Sequence, residues 1–376
     1  MYVKKGNKDI EDGSVLETVT VTPTDFLNIT MRYADMLKET IVPWSPSVMD
    51  EFLIPLHAGQ MILFQGRPGD AKTTLSLAMA NIMGLAIKDN KNIPYGPPLF
   101  VTAETVTQDM MLYLTMERLN SMGAKNSVTN DYWNIEDVYR SRYKRSELLR
   151  GAVKLSDLNI SMLGQDAEKT GYKIDVELVW RAVQEMEKLG KRPLYIIMDY
   201  AQKLDVDDEK FGNTSYHAKD ATIFSEVDQF CVATGIPVHL LAQSNEWVDD
   251  LQVPIGTAKS IHGTSYAHRY AATHVAIMRP GNHEQYSTDE FGEKPLVIDT
   301  GLGKYPNVPN LQIMRDLKQR GKKPGSREIA IIFDPGKMTI SELNEGNIKG
   351  VDFGDFVNYS TEELSGHSDQ EDWHLG

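Results

Sequence analysis

The segment Gly66-Arg67-Pro68-Gly69-Asp70-Ala71-Lys72-Thr73-Thr74 gathers the residue types that a phosphate chain needs. Small residues let successive backbone N–H groups close around an anion. Lys72 follows at the distance that reaches β- and γ-phosphates, and the Thr73 hydroxyl is placed to ligate Mg²⁺. The apolar run Met61-Ile62-Leu63-Phe64 precedes the loop and a helical stretch starts at Lys72. The loop therefore opens on a helix N-terminus, whose partial positive charge also favours an anion. This is the P-loop pattern with one departure, since Ala71 stands where Gly is usual. A left-handed backbone there would strain the Ala71 Cβ. The order strand, loop, Lys-Thr-Thr, helix makes ATP with Mg²⁺ the expected ligand, held by residues 66–74. A Gly-rich turn without a ligand is the lesser alternative.

Two carboxylates stand at predicted strand ends. Asp199 closes Tyr195-Ile196-Ile197-Met198-Asp199, the position from which a carboxylate holds Mg²⁺ through water. Glu104 follows Leu99-Phe100-Val101-Thr102-Ala103, where a carboxylate can polarise an attacking water. Taken alone, an acid at a strand end is usually a solvated loop charge; the P-loop raises these two above that reading. Gln243 ends Leu240-Leu241-Ala242-Gln243, and a neutral amide there can sense a γ-phosphate.

The elements that must position these groups alternate. Strands are expected at 61–64, 99–101, 195–198, 238–242, 275–278, 311–314 and 329–333, with helices from Lys72, over 107–119 and over 218–234. Such alternation implies an α/β fold with a mostly parallel central sheet flanked by helices on both faces. Residues 121–171 read as polar and partly helical, with a basic cluster at Arg140, Arg142, Lys144, Arg145 and Arg150. That cluster fits a solvated helix face better than a nucleic-acid groove.

Three segments follow: an N-terminal arm and linker helix over 1–45, a central α/β domain carrying the P-loop over 46–340, and an acidic tail over 341–376. In the arm, Thr24 is a plausible N-cap for a helix carrying Phe26, Leu27, Met31, Met36 and Leu37, ended by Pro43 and Pro46. In the tail, acidic residues from Glu342 to Asp372 face the single basic residue Lys349, a composition expected to be largely disordered. The run Asp369-Gln370-Glu371-Asp372-Trp373 fits a solubilising tail or a docking tail for a partner enzyme.

Composition excludes several classes. The 376 residues carry a formal net charge of −14, so a broad nucleic-acid footprint is excluded while a local basic channel is not. A single cysteine, Cys231, rules out an intramolecular disulfide and fits a reducing cytoplasm. The start of the chain lacks the apolar core of a signal peptide, and no apolar run is long enough to cross a bilayer. No membrane partner is expected, and the location is cytoplasmic, in a bacterial host if the chain is phage-encoded.

Several blocks together resemble the ATPase domain of DnaB-type replicative helicases. They are the P-loop, Thr102-Ala103-Glu104, Ile197-Met198-Asp199-Tyr200-Ala201-Gln202-Lys203-Leu204, Pro237–Asn245 and Leu317-Lys318-Gln319-Arg320-Gly321, in family order over roughly 40–340. The loop form with Pro68, Gly69, Ala71 and Lys72 is also similar to that of MCM helicases and MoxR-type ATPases. The resemblance implies a RecA-like P-loop NTPase working as a homo-oligomer, a hexameric ring or spiral, on single-stranded DNA. Primase, polymerase or a loader are implied as possible partners. It casts Glu104 as the residue activating water, Gln243 as a sensor, and Lys318 and Arg320 as fingers reaching the next subunit's nucleotide. It places DNA contact in the loop holding Lys259, His262, Gly263 and Arg269. There this sequence departs from the family, with His, Tyr and Arg where acids are usual. The family's N-terminal helical domain is also missing, as in some short phage or mobile-element helicases. Two other readings stay open: a recombinase or regulatory ATPase similar to RecA, RadA or KaiC, and a nucleotide-binding assembly factor with little turnover.

Overall fold

A computed structural model describes residues 59–89, 95–104, 110, 114, 160–164, 173–206, 216–261, 266–286, 295–319, 327–335 and 339–343. All lie in the unit Val42–Gly376. The arm helix, the basic cluster of 140–150 and the tail beyond Leu343 fall outside these residues.

The strands are β1 (Met61–Gly66), β2 (Leu99–Thr102), β3 (Ser161–Gly164), β4 (Ile196–Asp199), β5 (Val238–Gln243), β6 (Thr273–Met278), β7 (Val297–Asp299), β8 (Lys304–Pro306), β9 (Leu311–Gln319), β10 (Glu328–Asp334) and β11 (Thr339–Glu342). The helices are α1 (Lys72–Asp89), α2 (Val176–Lys188), α3 (Tyr216–Thr234) and the short α4 (Ala267–Tyr270). Among the described residues, nine strands form one sheet in the order β11-β10-β9-β6-β1-β5-β4-β2-β3. From β6 to β3 every pairing is parallel; β9, β10 and β11 extend the sheet antiparallel beyond β6. Strands β7 and β8 make a separate hairpin.

The apolar runs form strands because helices bury both faces of the sheet. Every residue of β1, β2 and β4 is buried. The period-two pleat sorts β1 between two cores. Ile62 and Phe64 join the cluster under α1, whereas Met61 and Leu63 join the cluster with Phe224, Val227 and Phe230 of α3. A third cluster, around Ile313, Met278 and Leu311, covers the antiparallel extension. None of the described helices is long and apolar enough to cross a membrane.

The expected strands are all present, with shifted ends. The third begins at Ile196, with Tyr195 buried just before it. β9 runs on to Gln319, so Lys318 lies within a strand where a basic turn was the alternative. The stretch read as polar and partly helical contains β3, an edge strand paired with β2. Helix α2 was also not expected, although Asp175 caps it, accepting from the Leu178 N–H at 2.7 Å, and Val176, Val179 and Val183 repeat at helical spacing. Of the helix expected over 107–119, only Met110 and Leu114 are described, both helical and buried. β11 extends two residues beyond 340, where the tail was expected to start.

Candidate functional site

The carboxyl ends of β1, β2, β4, β5 and β6 converge on one cleft of about 360 Å³. In open α/β sheets this edge is where ligands bind, because loops and helix N-termini meet there. The P-loop lines the cleft with Pro68, Gly69, Ala71, Lys72, Thr73 and Thr74. Glu104, Asp199, Tyr200, Gln243, Arg279 and Pro335 complete its lining. The strand-end acids and the amide named from the sequence thus share a single cavity with the phosphate loop.

The loop bends through two left-handed residues, Gly69 at φ +89° and Ala71 at φ +59°. The strain expected at Ala71 is therefore present, since an L-residue in this region costs roughly 1–2 kcal/mol. Its methyl packs against the core cluster under α1. Asp70 supports the loop from beneath with a fully buried carboxylate. It accepts from the Arg67 N–H at 2.8 Å and the Arg279 N–H at 3.1 Å, and His283 Nε2 stands 3.3 Å away. Gln312 donates to the Asp70 carbonyl at 3.0 Å, and Asn282 donates to that of Gly69. Arg67 points sideways, bidentate to Asp249 at 2.8–3.1 Å and donating to the Ser244 carbonyl at 3.1 Å. Gly66, Arg67 and Asp70 therefore shape the loop rather than line the cleft.

The ammonium of Lys72 donates to the carbonyls of Gly66 and Arg67 at 2.9 and 2.8 Å, and among the described residues its third N–H has no further hydrogen-bond acceptor, so it can turn into the cleft. Burial lowers its pKa, opposed by the nearby Asp70, Asp199 and Glu104. Asp199 is 1% exposed, and burial lifts its pKa to about 6 even though the Thr73 hydroxyl donates to it. Its Oδ2 has no hydrogen-bond partner among the described residues. A buried carboxylate with one unused oxygen, bonded through the other side to a threonine hydroxyl, is an all-oxygen donor set that suits Mg²⁺. Glu104 is exposed at the rim. Burial raises the Tyr200 phenol to about 12, and its hydroxyl bonds the Gln243 side chain. Gln202 accepts from the Gln243 N–H at 3.2 Å and so fixes the end of β5.

The remaining predicted residues lie elsewhere. Lys259 and Arg269 are exposed on either side of 262–265, and Arg269 stacks 4.8 Å from the centre of the Tyr266 ring. His262, Gly263 and Arg320 fall outside the described residues. Lys318 donates from Nζ to the carbonyls of His268 at 2.6 Å and Arg269 at 3.1 Å, which caps the C-terminus of α4. Arg279, Tyr200, Asp249 and His283 were not singled out from the sequence. Arg279 carried a usable signal, because it directly follows β6, at the same sheet edge where Glu104 lies two residues beyond β2.

No family model matches the chain, and no curated protein matches its sequence. Solved structures do. A DnaB-like replicative helicase, described with its interactions with primase, superposes with a TM-score of 0.63 at 14% identity, covering 89% of this chain and 68% of that one. A second solved structure, described as an ATPase domain, gives a TM-score of 0.63 at 14% identity, covering 89% of this chain and 100% of that one. The likeness is one of fold: a RecA-like α/β domain with a mostly parallel central sheet.

Proposed function

We propose that the chain is an ATP-driven motor of the DnaB type that moves along single-stranded DNA. The observation that carries this reading is the meeting of Lys72, Thr73, Asp199, Glu104 and Gln243 around one cleft in a RecA-like domain. P-loop N–H groups and Lys72 would neutralise the β- and γ-phosphate oxygens. Thr73 and Asp199 would hold Mg²⁺, which would supply charge neutralisation to the phosphate chain. Glu104 would take a proton from the attacking water as its oxygen bonds the γ-phosphorus and the bond to the ADP oxygen breaks. Gln243 would contact the γ-phosphate, and its hydroxyl partner Tyr200 would sense the change. Arg320, delivered by a neighbouring subunit of a ring or spiral, would stabilise the transferring charge, with Lys318 beside it in the same block.

The loop spanning 255–269 is the proposed DNA contact, through Lys259, His262, Gly263, Arg269 and backbone N–H groups. Such contacts read phosphate rather than sequence. The acidic remainder of the surface would suppress unspecific binding. Primase, polymerase or a loader are the partners this reading admits. The reading is tested by strand displacement on a forked duplex with ATP, comparing the wild type with Arg320→Ala. Displacement lost in the variant, with nucleotide binding retained, supports the motor. Strand exchange without displacement would assign a recombinase instead. Nucleotide binding with neither activity would assign an assembly factor.

A further inference from the structure

Gln65 is the last side chain of β1 before the P-loop glycine, and it is completely buried. Its amide does not face the cleft. Nε2 donates to the Thr257 carbonyl at 2.7 Å and to Ser260 Oγ at 3.2 Å, while Oε1 has no partner among the described residues. The orientation is forced, because a carbonyl can only accept. Half of a buried amide is thus left unsatisfied so that the other half can hold the segment from Ile255 to Ile261. This arrangement costs free energy, which a leucine or methionine in the same place would not.

The segment is tightly seated on that amide. A Cβ added to Gly256 would collide with Gln65 Nε2 and stand 3.0 Å from Ser260 Oγ. Ser260 closes the turn, accepting from the Thr257 N–H at 2.7 Å and donating to the Thr257 carbonyl at 2.8 Å. The end of β5 holds the far side, with the Asn245 N–H donating to the Ser260 carbonyl at 2.7 Å and Asn245 Nδ2 to that of Ile261 at 3.2 Å. Ile255, Gly256 and Ser260 are buried, whereas Thr257 and Lys259 are exposed. The root is fixed and the tip is free.

Next along the chain, the Gly66 carbonyl accepts from the Lys72 ammonium at 2.9 Å and from the Ser244 N–H at 3.0 Å. A phosphate that draws Lys72 toward itself therefore pulls on Gly66, one peptide from Gln65. We infer that Gln65 is a positioning residue that transmits the state of the phosphate loop to the loop segment 255–261, setting how that segment presents its exposed tip. The inference deepens the motor reading and rests on it for the identity of what the tip meets, single-stranded DNA.

The test is amide hydrogen exchange of peptides covering 253–261 in the full chain, with and without Mg²⁺ and a non-hydrolysable ATP analogue. It compares the wild type with Gln65→Leu and Gln65→Met, neither of which orphans a loop group, because Ser260 still serves Thr257. Gly256→Ala forces the same contact apart from the loop side. In the wild type, the analogue changes exchange in this segment by about tenfold, the scale set by two buried hydrogen bonds. In the variants that response is lost while the affinity for the analogue stays within about twofold of the wild type, the size of an effect that touches no nucleotide contact. Two results overturn the inference: no response in the wild type, or an equal response in the variants. A merely structural role predicts the second, with faster exchange throughout and the nucleotide response kept. DNA-stimulated turnover, measured alongside, judges the motor reading separately. If exchange responds as stated but DNA leaves turnover unchanged, the coupling stands and the DNA contact falls.

Discussion

Asp199→Asn is expected to stabilise the protein at neutral pH, in chelator and without nucleotide, while removing hydrolysis. Asp199 is 1% exposed, and burial raises its pKa from 3.8 to about 6. The folded state therefore binds this proton more tightly than the unfolded chain does. Stability is lost as pH rises from about 4 to about 6 and changes no further above that. The gap corresponds to about 3 kcal/mol at neutral pH. Asparagine carries no charge, and its oxygen still accepts from Thr73, but its NH₂ meets the place where Oδ2 has no partner. An unsatisfied buried donor costs about 1 kcal/mol. The net gain is about 2 kcal/mol, or about 3 °C in Tm for a domain of this size. Thermal unfolding of both proteins in chelator at about pH 4 and about pH 7.5, on either side of the shifted pKa, reads it directly. The variant gains at the higher pH and little at the lower. With Mg²⁺ and nucleotide the order reverses, because only the carboxylate has charge to give the ion. An equal difference at both pH values, or a less stable variant at the higher one, would refute the reasoning.

Three other perturbations have definite signs. Glu328 has a nearly fully buried side chain and accepts from Arg315 Nε at 2.8 Å and from Thr300 Oγ1. Arg315→Met should cost about 3–5 kcal/mol in urea unfolding, and adding Glu328→Leu should recover most of it. His239 is fully buried against Phe64, burial pushes its pKa down to about 3, and neither ring nitrogen has a partner among the described residues. His239→Leu should raise the urea midpoint by an amount equivalent to about 1–2 kcal/mol, with no change in turnover. In Gly66→Ala the new Cβ would stand 2.9 Å from the Ile277 carbonyl and 3.2 Å from Asp70 Oδ2. Calorimetric titration should show ATP affinity reduced by at least about tenfold, because the loop must shift its N–H groups off the phosphates.

The phosphate loop and the strand-end acids were legible because their chemistry is local in sequence. Lys72 and Thr73 follow their own loop, and a carboxylate ending an apolar run points to a sheet edge wherever the sheet goes. The parallel core was legible for the same reason, since strands buried on both faces read as continuous apolar runs. The support beneath the loop was not. Asp70 meets His283 and Gln312, more than two hundred residues away. Asp249 reaches Arg67 only once β5 lies beside β1. Edge strand β3 escaped notice because each of its residues is only half-buried and the strand is four residues long. Within the chain Lys318 caps α4, a contact its sequence block did not announce. A single sequence block cannot show which carbonyls an ammonium will find.

The most direct test of the motor is steady-state ATP turnover with and without an unstructured single-stranded oligonucleotide, for the wild type and Lys72→Ala. The account predicts that DNA raises turnover at least about tenfold, as differential binding of a second ligand through a coupled loop allows, and that Lys72→Ala abolishes it under both conditions. Turnover that is present but indifferent to DNA, or that survives Lys72→Ala, would contradict it.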